Sequence, residues 1–396
     1  MEKEPQYIIL NFLHGNGPYL RTIELALAVN DALEDKGYER KRIIVPLVYG
    51  DRQKRIMEEN FGEAIRRRPR EILLEKKLGS LIQPLLYSGN ESYNKSLKGF
   101  LETHQETQGN TQKYIDGGLK AETFAGLEIR IAKNEIALEI NRCPQLNLGI
   151  ERSYYTGFDY ISKVLEHALR ENDLEIDRET VERCIPLYNE IEKKQTLHFV
   201  AEPSIFSYLG ERKKKYVTEV DTPPNTNQIK YFSYAPKYDK VEDGAYVTIT
   251  GIPGLEHLFR DIRRAGMEIY THRPELIPGS RFAPPDIIAN KKIKFHFARS
   301  GWGSLWLSLM TDTPFIARPY KEEDDFEIYF NNKCIEHLGI GKVFKEGETL
   351  DDLMRYGEEY KRNVKVLKDN LIKKYNTLNG VKYTAEKIVE DLCENS

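Results

Sequence analysis

The sequence predicts an α/β fold made of two doubly wound, Rossmann-like domains. The chain has 396 residues, which is the length of two domains of ordinary size. It opens with a strand, a glycine-rich turn, a helix and a second strand, and the same pattern recurs from residue 245. Short apolar runs that stop at glycine-rich turns are typical of buried parallel strands joined by helices.

The first pattern begins with the apolar run Tyr7–Phe12, a predicted strand that stops at the sequence HGNGP. A helix is predicted over Thr22–Leu33 and a second strand over Arg42–Tyr49. The segment 129–141 fits either a helix or a strand. The remaining elements predicted for this half are helices at 158–169 and 181–194 and strands at 197–200 and 215–220.

The second pattern follows a stretch rich in Pro, Asn and Tyr, which we interpret as a linker at 226–244. Its predicted elements are strands at 245–250, 267–270, 293–297 and 315–317 and helices at 255–265, 305–310 and, as a pair, within 350–392. The predicted organisation is therefore an N-terminal domain at 1–225, the linker, a second domain at 245–370, and a C-terminal helix at 371–396 that would pack back on the first domain.

The composition excludes several classes of protein. With 59 Lys and Arg against 62 Asp and Glu, the chain lacks the basic excess of a nucleic-acid binder. Its four widely spaced cysteines predict neither a disulfide framework nor a zinc site, and they fit a reducing cytoplasm. We expect no signal peptide, and no membrane-spanning helix either, because no apolar stretch reaches about 18 residues.

A basic run at Arg66–Arg70 lies near the apolar sequence LGSLIQPLLY. Basic and apolar residues side by side are typical of peripheral contact with anionic lipid. The alternative interpretation is a solvated helix end. We expect a cytoplasmic protein, either free in the cytoplasm or associated with the membrane surface.

The segment Arg299–Ser304 (RSGWGS) lies between a predicted strand and a predicted helix. Glycine lets the backbone approach a ligand closely. The N-terminus of the next helix carries N–H groups without partners and a partial positive charge, so the two together favour an anion such as a diphosphate. A plain strand–helix turn that needs glycine is the alternative.

From Arg299 to Gly341 the sequence resembles the donor-binding half of UDP-sugar glycosyltransferases, both the plant type and the GlcNAc transferase of peptidoglycan lipid II synthesis. Gly301, Trp302 and Ser304 are in register with the His-Cys-Gly-Trp-Asn-Ser block of the plant type, and Pro314 lies at the family's spacing from Arg299. The resemblance implies the GT-B fold, in which two Rossmann-like domains face a central cleft.

The resemblance also implies site residues, which group by the part of the donor that they would hold. The diphosphate would be held by Arg299, Ser300, Gly301, Trp302, Gly303 and Ser304, the sugar by Asp325, Glu327 and Asn331, and the base by Arg281 and Phe282. The chain departs from the family at Leu307, which lies where the family has the Glu that binds ribose.

The glycine-rich turn after the first strand resembles the first loop of related GT-B enzymes, here with Gly15, Gly17 and Arg21. In many inverting members a His of this loop deprotonates the acceptor, because imidazole titrates near neutral pH. Pro18 occupies that position in this chain. His14, three residues before Gly17, is the candidate catalytic base.

The function that the sequence predicts is transfer of a sugar from a nucleotide-diphosphate donor to an acceptor hydroxyl, with inversion at the anomeric carbon. UDP is the first candidate for the nucleotide. The expected partners are the nucleotide-sugar co-substrate and an acceptor, lipid-linked or a small molecule. No cofactor and no metal are expected. The alternatives are a nucleotide-sugar 2-epimerase and a non-catalytic sugar-nucleotide-binding relative.

Overall fold

A computed structural model describes residues 6–12, 16–86, 91–157, 159–209, 217–225, 240–248, 252 and 255–394. The contacts divide the chain into two compact units. Unit 1 comprises Met1–Ala201, Lys213–Thr222 and Val381–Ser396, and unit 2 comprises Glu202–Arg212 and Pro223–Gly380.

The helices of both units are numbered along the chain: α1 (Asn16–Asp35), α2 (Gly50–Arg67), α3 (Lys76–Ile82), α4 (Tyr93–Asp116), α5 (Ile161–Ala168), α6 (Arg178–Lys193), α7 (Glu256–Arg264), α8 (Trp302–Thr311), α9 (Phe326–Leu338), α10 (Leu350–Tyr375) and α11 (Gly380–Glu394). None of the described helices is long and apolar enough to cross a membrane.

The strands of unit 1 are β1 (Tyr7–Phe12), β2 (Arg42–Pro46), β3 (Ile72–Glu75), β4 (Leu119–Thr123), β5 (Glu128–Ile131), β6 (Ile136–Arg142), β7 (Ser153–Gly157), β8 (Leu197–Ala201) and β9 (Glu219–Thr222). They form one sheet in the order β5-β4-β3-β2-β1-β6-β7-β8-β9. Only the pairings of β4 with β3 and β5 are antiparallel. The predicted first strand is confirmed, and all six of its residues are buried.

In unit 1, the start of α1 and the ambiguous segment 129–141 are two places where the structure corrects or refines the prediction. The helix α1 begins at Asn16, six residues before the predicted start, so that Gly17 and Pro18 lie in its first turn. Proline fits there because the first N–H groups of a helix have no intrahelical partner. The ambiguous segment 129–141 forms two strands, β5 and β6, separated by the short 3₁₀ turn Lys133–Glu135.

The strands of unit 2 are β10 (Gly244–Val247), β11 (Glu268–Thr271), β12 (Arg281–Phe282), β13 (Ile293–Ala298), β14 (Phe315–Ala317) and β15 (Lys342–Val343). They pair in the order β12-β11-β10-β13-β14-β15, and every pairing is parallel. The direction in which the strands are added reverses between β10 and β13. In open α/β sheets, ligands bind outside the carboxyl ends of the strands at such a switch point.

The segment after β8 packs on unit 2 rather than unit 1, although the predicted boundary lies at residue 225. The Trp306 indole N–H of α8 donates to the carbonyl of Pro203 at 3.3 Å, and the rings of Phe206 and Phe330 lie 5.3 Å apart. The end of the chain belongs to unit 1, where Tyr154 of β7 donates to Asp391 of α11 at 2.7 Å.

Candidate functional site

The loop Arg299–Gly301 follows β13 directly, so it lies at the carboxyl end of a strand at the switch point of unit 2. The helix α8 begins at Trp302 with Gly301 as its N-cap. The residues Trp302 to Ser304 therefore form the first helical turn, whereas the sequence predicted the helix only from Leu305. Among the described residues, the N–H groups of Trp302 and Gly303 have no backbone acceptor, as expected for the start of a helix.

Both glycines of this helix start border open space. A Cβ atom added at Gly301 or at Gly303 would meet no other atom within 4 Å. Gly303 is exposed and Ser304 is partly exposed. The positive dipole end of α8 therefore lies at a surface that is accessible at Gly303 and Ser304.

Arg299 lies beside this turn and contacts a carboxylate that a second arginine holds more tightly. Its guanidinium donates to Asp324 at 3.3 Å. The buried Arg318, at the end of β14, donates to both oxygens of the same carboxylate at 2.8 and 2.7 Å. A guanidinium–carboxylate fork of this kind is a strong, oriented contact. Asp324 is therefore well satisfied by Arg318, and Arg299 is its weaker partner.

Three acids surround Arg299. Burial lowers the pKa of its guanidinium, but the carboxylates of Asp325, Asp324 and Glu327 raise it, and their combined effect is the larger. Burial raises the pKa of Asp325 in turn, although Arg299 acts in the opposite direction. Asp325 also caps α9 by accepting from the N–H of Ile328 at 3.3 Å. Arg299 is charged at neutral pH, and it lies near a helix start whose first N–H groups have no backbone acceptor and near carboxylates, which are able to accept hydrogen bonds from hydroxyls.

Three of the residues predicted to touch the donor have buried side chains. The Ser300 hydroxyl donates to the carbonyl of Ile328, and the Trp302 ring lies 5.7 Å from that of Trp306. The Asn331 amide donates to the carbonyl of Ser300 at 2.7 Å and to Glu327 at 3.0 Å. With 0–1% of their surface exposed, these residues support the loop from its buried side.

The predicted base-binding residues lie on the edge strand β12. Phe282 is 68% exposed, and Arg281 forms ion pairs with Glu242 at 3.4 Å and Glu268 at 3.2 Å. Three strand spacings, about 14 Å, separate β12 from β13. His272 follows β11 between them; burial lowers its pKa, so it is neutral at pH 7.

Sequence reasoning missed His272, Arg318 and Asp324. His272 and Arg318 each stand directly after a strand, and that position is the signal that would have found them. Asp324 lies inside the acidic run Glu322–Asp325, directly before the predicted sugar-binding residue Asp325. No group of three or more His, Cys, Asp or Glu side chains among the described residues is placed to hold a metal ion.

Leu307, where the family has a ribose-binding Glu, packs in the core of unit 2 with Tyr246 and Ile288. The neighbouring Ser308 is buried as well, and its hydroxyl lies 2.6 Å from Nδ1 of His296. Neither side chain is accessible to a ligand.

The predicted N-terminal site is described only in part. His14, the candidate base, and Gly15 lie outside the described residues. Gly17 is exposed in the first turn of α1, and its Cβ position borders open space. Arg21, one turn further on, forms an ion pair with Glu24 at 2.6 Å.

No family model and no curated protein sequence matches the chain. Solved structures do. TcCGT1 in complex with UDP is 12% identical, with a TM-score of 0.60 and coverage of 100% of both chains. The glycotransferase of kitacinnamycin is 11% identical, with a TM-score of 0.56 over 98% of this chain and 100% of that one.

A third similar structure is the glycosyltransferase SnogD from Streptomyces nogalater, 14% identical, with a TM-score of 0.53 over 98% of this chain and 100% of that one. Identities this low show the fold alone. Each unit of this chain is built on a parallel-dominated sheet with a central switch point. The solved structures align with 98–100% of the chain, so the alignment includes both units. The chain therefore has the fold of the GT-B glycosyltransferases, with two Rossmann-like domains.

Proposed function

We propose that the protein is a glycosyltransferase that moves a sugar from a nucleotide-diphosphate donor to an acceptor hydroxyl. UDP is the first candidate for the nucleotide. The observation that carries this proposal is the start of α8. Its unpartnered N–H groups and Arg299 lie together at the switch point of unit 2. A diphosphate is the anion that fits a helix start and a guanidinium side by side.

In this proposal, Arg299, Gly301, Gly303 and Ser304 hold the diphosphate, the glycines through their backbone. The buried Ser300, Trp302 and Asn331 support the loop. Asp325 and Glu327 accept hydrogen bonds from sugar hydroxyls, since both are partly exposed beside Arg299. The base lies toward Phe282, whose exposed ring offers a stacking face.

The proposed chemistry is a direct displacement. The acceptor oxygen attacks the anomeric carbon on the face opposite the diphosphate, the bond from that carbon to the diphosphate oxygen breaks, and the configuration inverts. Charge develops on the leaving diphosphate, where the α8 dipole and the Arg299 cation stabilise it in place of a metal ion. His14 is the proposed group that takes the acceptor proton.

A panel of UDP-, GDP- and dTDP-sugars tests the donor by thermal shift, because a ligand that binds the native state raises its melting temperature. The expected result is a shift with UDP-sugars that UDP reproduces. If no member of the panel raises the melting temperature, the proposal is wrong.

Turnover then separates the alternatives. Release of UDP that increases with added acceptor supports transfer. Conversion of the donor to its 2-epimer without acceptor supports an epimerase. Binding with neither reaction, tested over lipid-linked and small-molecule acceptors, supports a non-catalytic relative.

A further inference from the structure

A cavity lies in unit 1, at the edge of its sheet opposite to the carboxyl ends of the parallel strands. It has a volume of about 960 Å³, which is at the upper end for small-molecule pockets. The amino ends of β2 and β6 and the segments just before β1 and β7 border it, and the last turn of α11 closes one side. Leu33, Ile136 and Ile150, all buried, give it an apolar floor.

The polar wall of this cavity is basic. Five cations line it, Arg40, Lys41, Arg42, Lys133 and Arg152, against the two exposed acids Glu39 and Glu151. Carboxylates outside the lining pair with at least two of the cations. Arg40 is bound by Asp31, Glu34 and Glu71, and Lys133 is bound by Asp116.

Arg42, in contrast, contacts an aromatic ring and no carboxylate among the described residues. Its guanidinium lies over the ring of Tyr7, 5.8 Å from the centroid, and donates to the Tyr7 hydroxyl at a long 3.4 Å. No carboxylate among the described residues lies within ion-pair distance of it, and its side chain is only partly exposed. A partly buried cation whose neighbour is an aromatic ring favours a bound anion.

Arg152 carries positive charge to the other side of the cavity. It precedes β7 directly and donates to the last-turn carbonyl of Leu392 at 3.1 Å, which fixes its direction. Since β1 and β6 lie between β2 and β7, the backbones of Arg42 and Arg152 are separated by three strand spacings, about 14 Å. An anion of nucleotide length reaches from one arginine toward the other, whereas a single phosphate ion meets only one.

The cavity also offers an aromatic face. Tyr38 is 53% exposed, and the neighbouring Cys393 side chain, which lines the same cavity, raises the pKa of its hydroxyl. An exposed ring beside arginine side chains suits a planar base, which stacks on both kinds of surface.

We propose that this cavity is a binding site for a nucleoside phosphate, held by Arg42 and Arg152 through its phosphates and by Tyr38 through its base. The site is separate from the candidate donor site of unit 2 and does not depend on the proposed transferase activity.

Binding of ATP, AMP, pyrophosphate and adenosine to the full chain, measured by titration calorimetry, tests the proposal. We expect saturable binding of ATP, weaker binding of pyrophosphate and the weakest binding of adenosine. Arg42→Gln and Arg152→Gln are each expected to weaken ATP binding about tenfold. Arg67→Gln is the matched control, because Arg67 is an exposed cation of α2 that does not line the cavity. It is expected to leave ATP binding unchanged.

Three results would overturn the proposal. The first is the absence of saturable ATP binding at concentrations up to about 1 mM, the weakest range of specific small-ligand binding. The second is ATP binding that Arg299→Ala abolishes and Arg42→Gln leaves intact, which places the nucleotide in unit 2. The third is Arg42-dependent binding to phosphatidylserine vesicles without binding of any soluble phosphate, which makes the ligand a lipid headgroup.

If Arg42→Gln fails to fold, Arg42→Lys takes its place. Lysine keeps the charge but loses the planar fork, so ATP binding is expected to weaken several-fold. Unchanged binding in Arg42→Lys together with Arg152→Lys contradicts the proposed arginine contacts.

Discussion

Arg318 holds Asp324 by two parallel hydrogen bonds, at 2.8 and 2.7 Å, and both side chains are buried. The backbone N–H of Lys321 donates to the same carboxylate at 3.0 Å. Asp324 thus keeps three hydrogen bonds if Arg299 turns from it toward a ligand. Because Arg318 already neutralises the Asp324 carboxylate, the neighbouring Arg299 is able to bind an anion at the candidate diphosphate site.

Arg299→Ala is expected to weaken UDP binding at least several-fold, because it removes the cation beside the α8 helix start. Calorimetry with UDP measures the loss. Arg273→Ala, at an exposed arginine paired with Glu275, is the control and should bind UDP as the unchanged protein does. Equal affinity in Arg299→Ala would rule out the proposed contact with the diphosphate.

Arg318→Met is expected to lower the free energy of unfolding by about 3–5 kcal/mol, because it leaves the Asp324 carboxylate buried without its main partner. Replacing both members of the pair, in Arg318→Met/Asp324→Leu, should recover much of that loss, since no buried charge remains. Urea unfolding measures both. A loss of under about 1 kcal/mol in the single variant would contradict the buried ion pair.

Gly303→Ala separates ligand binding from folding. A methyl group at Gly303 meets no atom within 4 Å, and alanine suits a helix, so stability should stay the same or rise by up to about 1 kcal/mol. The methyl group would occupy the space in which the diphosphate is proposed to lie, and UDP binding should fall several-fold. Gly99→Ala in α4, which also meets open space, is the matched control. UDP binding that is equally strong in both variants counts against the site.

Glu139 predicts a pH dependence of stability in unit 1. Burial raises its pKa from 4.5 to about 7, although Asn11 and Ser153 donate hydrogen bonds to its oxygens. The folded chain therefore binds a proton more tightly than the unfolded chain. This contribution to stability is fully present below pH 4.5 and is lost as the pH rises through 7.

Glu139→Gln keeps the shape of the side chain and removes its titration. The free energy of unfolding of the unchanged protein should decrease between pH 4.5 and 7, and we expect this decrease to be absent in the variant. Urea unfolding at a series of pH values measures it. Glu63→Gln, at an exposed position of α2, should behave as the unchanged protein. Identical pH profiles for Glu139→Gln and the unchanged protein would contradict the prediction.

His296 predicts the opposite slope in unit 2. It is fully buried, and burial lowers its pKa from 6.5 to about 3. The unfolded chain binds the proton more tightly, so stability is full above pH 6.5 and falls as the pH decreases toward 3. The slope is at most ~1.4 kcal/mol per pH unit. His296→Gln should flatten this acid side of the profile, whereas His257→Gln, at an exposed ring, should leave it unchanged. A profile in His296→Gln as steep as that of the unchanged protein would disprove the assignment.

The fold class followed from local patterns because parallel strands are buried on both faces and therefore appear as apolar runs. Tyr7–Phe12 and Ile293–Ala298 are of this kind. Helix starts were harder to predict. Gly17 and Gly303 appeared to be turn residues, but each lies in the first turn of a helix, where the usual cost of glycine and proline is small.

The candidate site was predictable only where its residues are neighbours in sequence. The RSGWGS segment was found because a strand, a glycine loop and a helix follow one another. The Arg318–Asp324 pair and its contact with Arg299 join segments that follow different strands, and a single sequence does not reveal which charges meet. The resemblance assigned Asn331 to the sugar, but the sequence could not reveal that this side chain is buried and donates to the carbonyl of Ser300.

The chain passes between its two units more than once, since Glu202–Arg212 lies in unit 2, Lys213–Thr222 returns to unit 1, and α11 joins unit 1 again. A single cut therefore cannot yield two whole halves. A fragment that ends at Ala201 would lack the edge strand β9 and the helix whose Asp391 binds Tyr154. Anyone who separates the units to study one alone must rejoin these pieces, for instance by circular permutation that links α11 directly to β1.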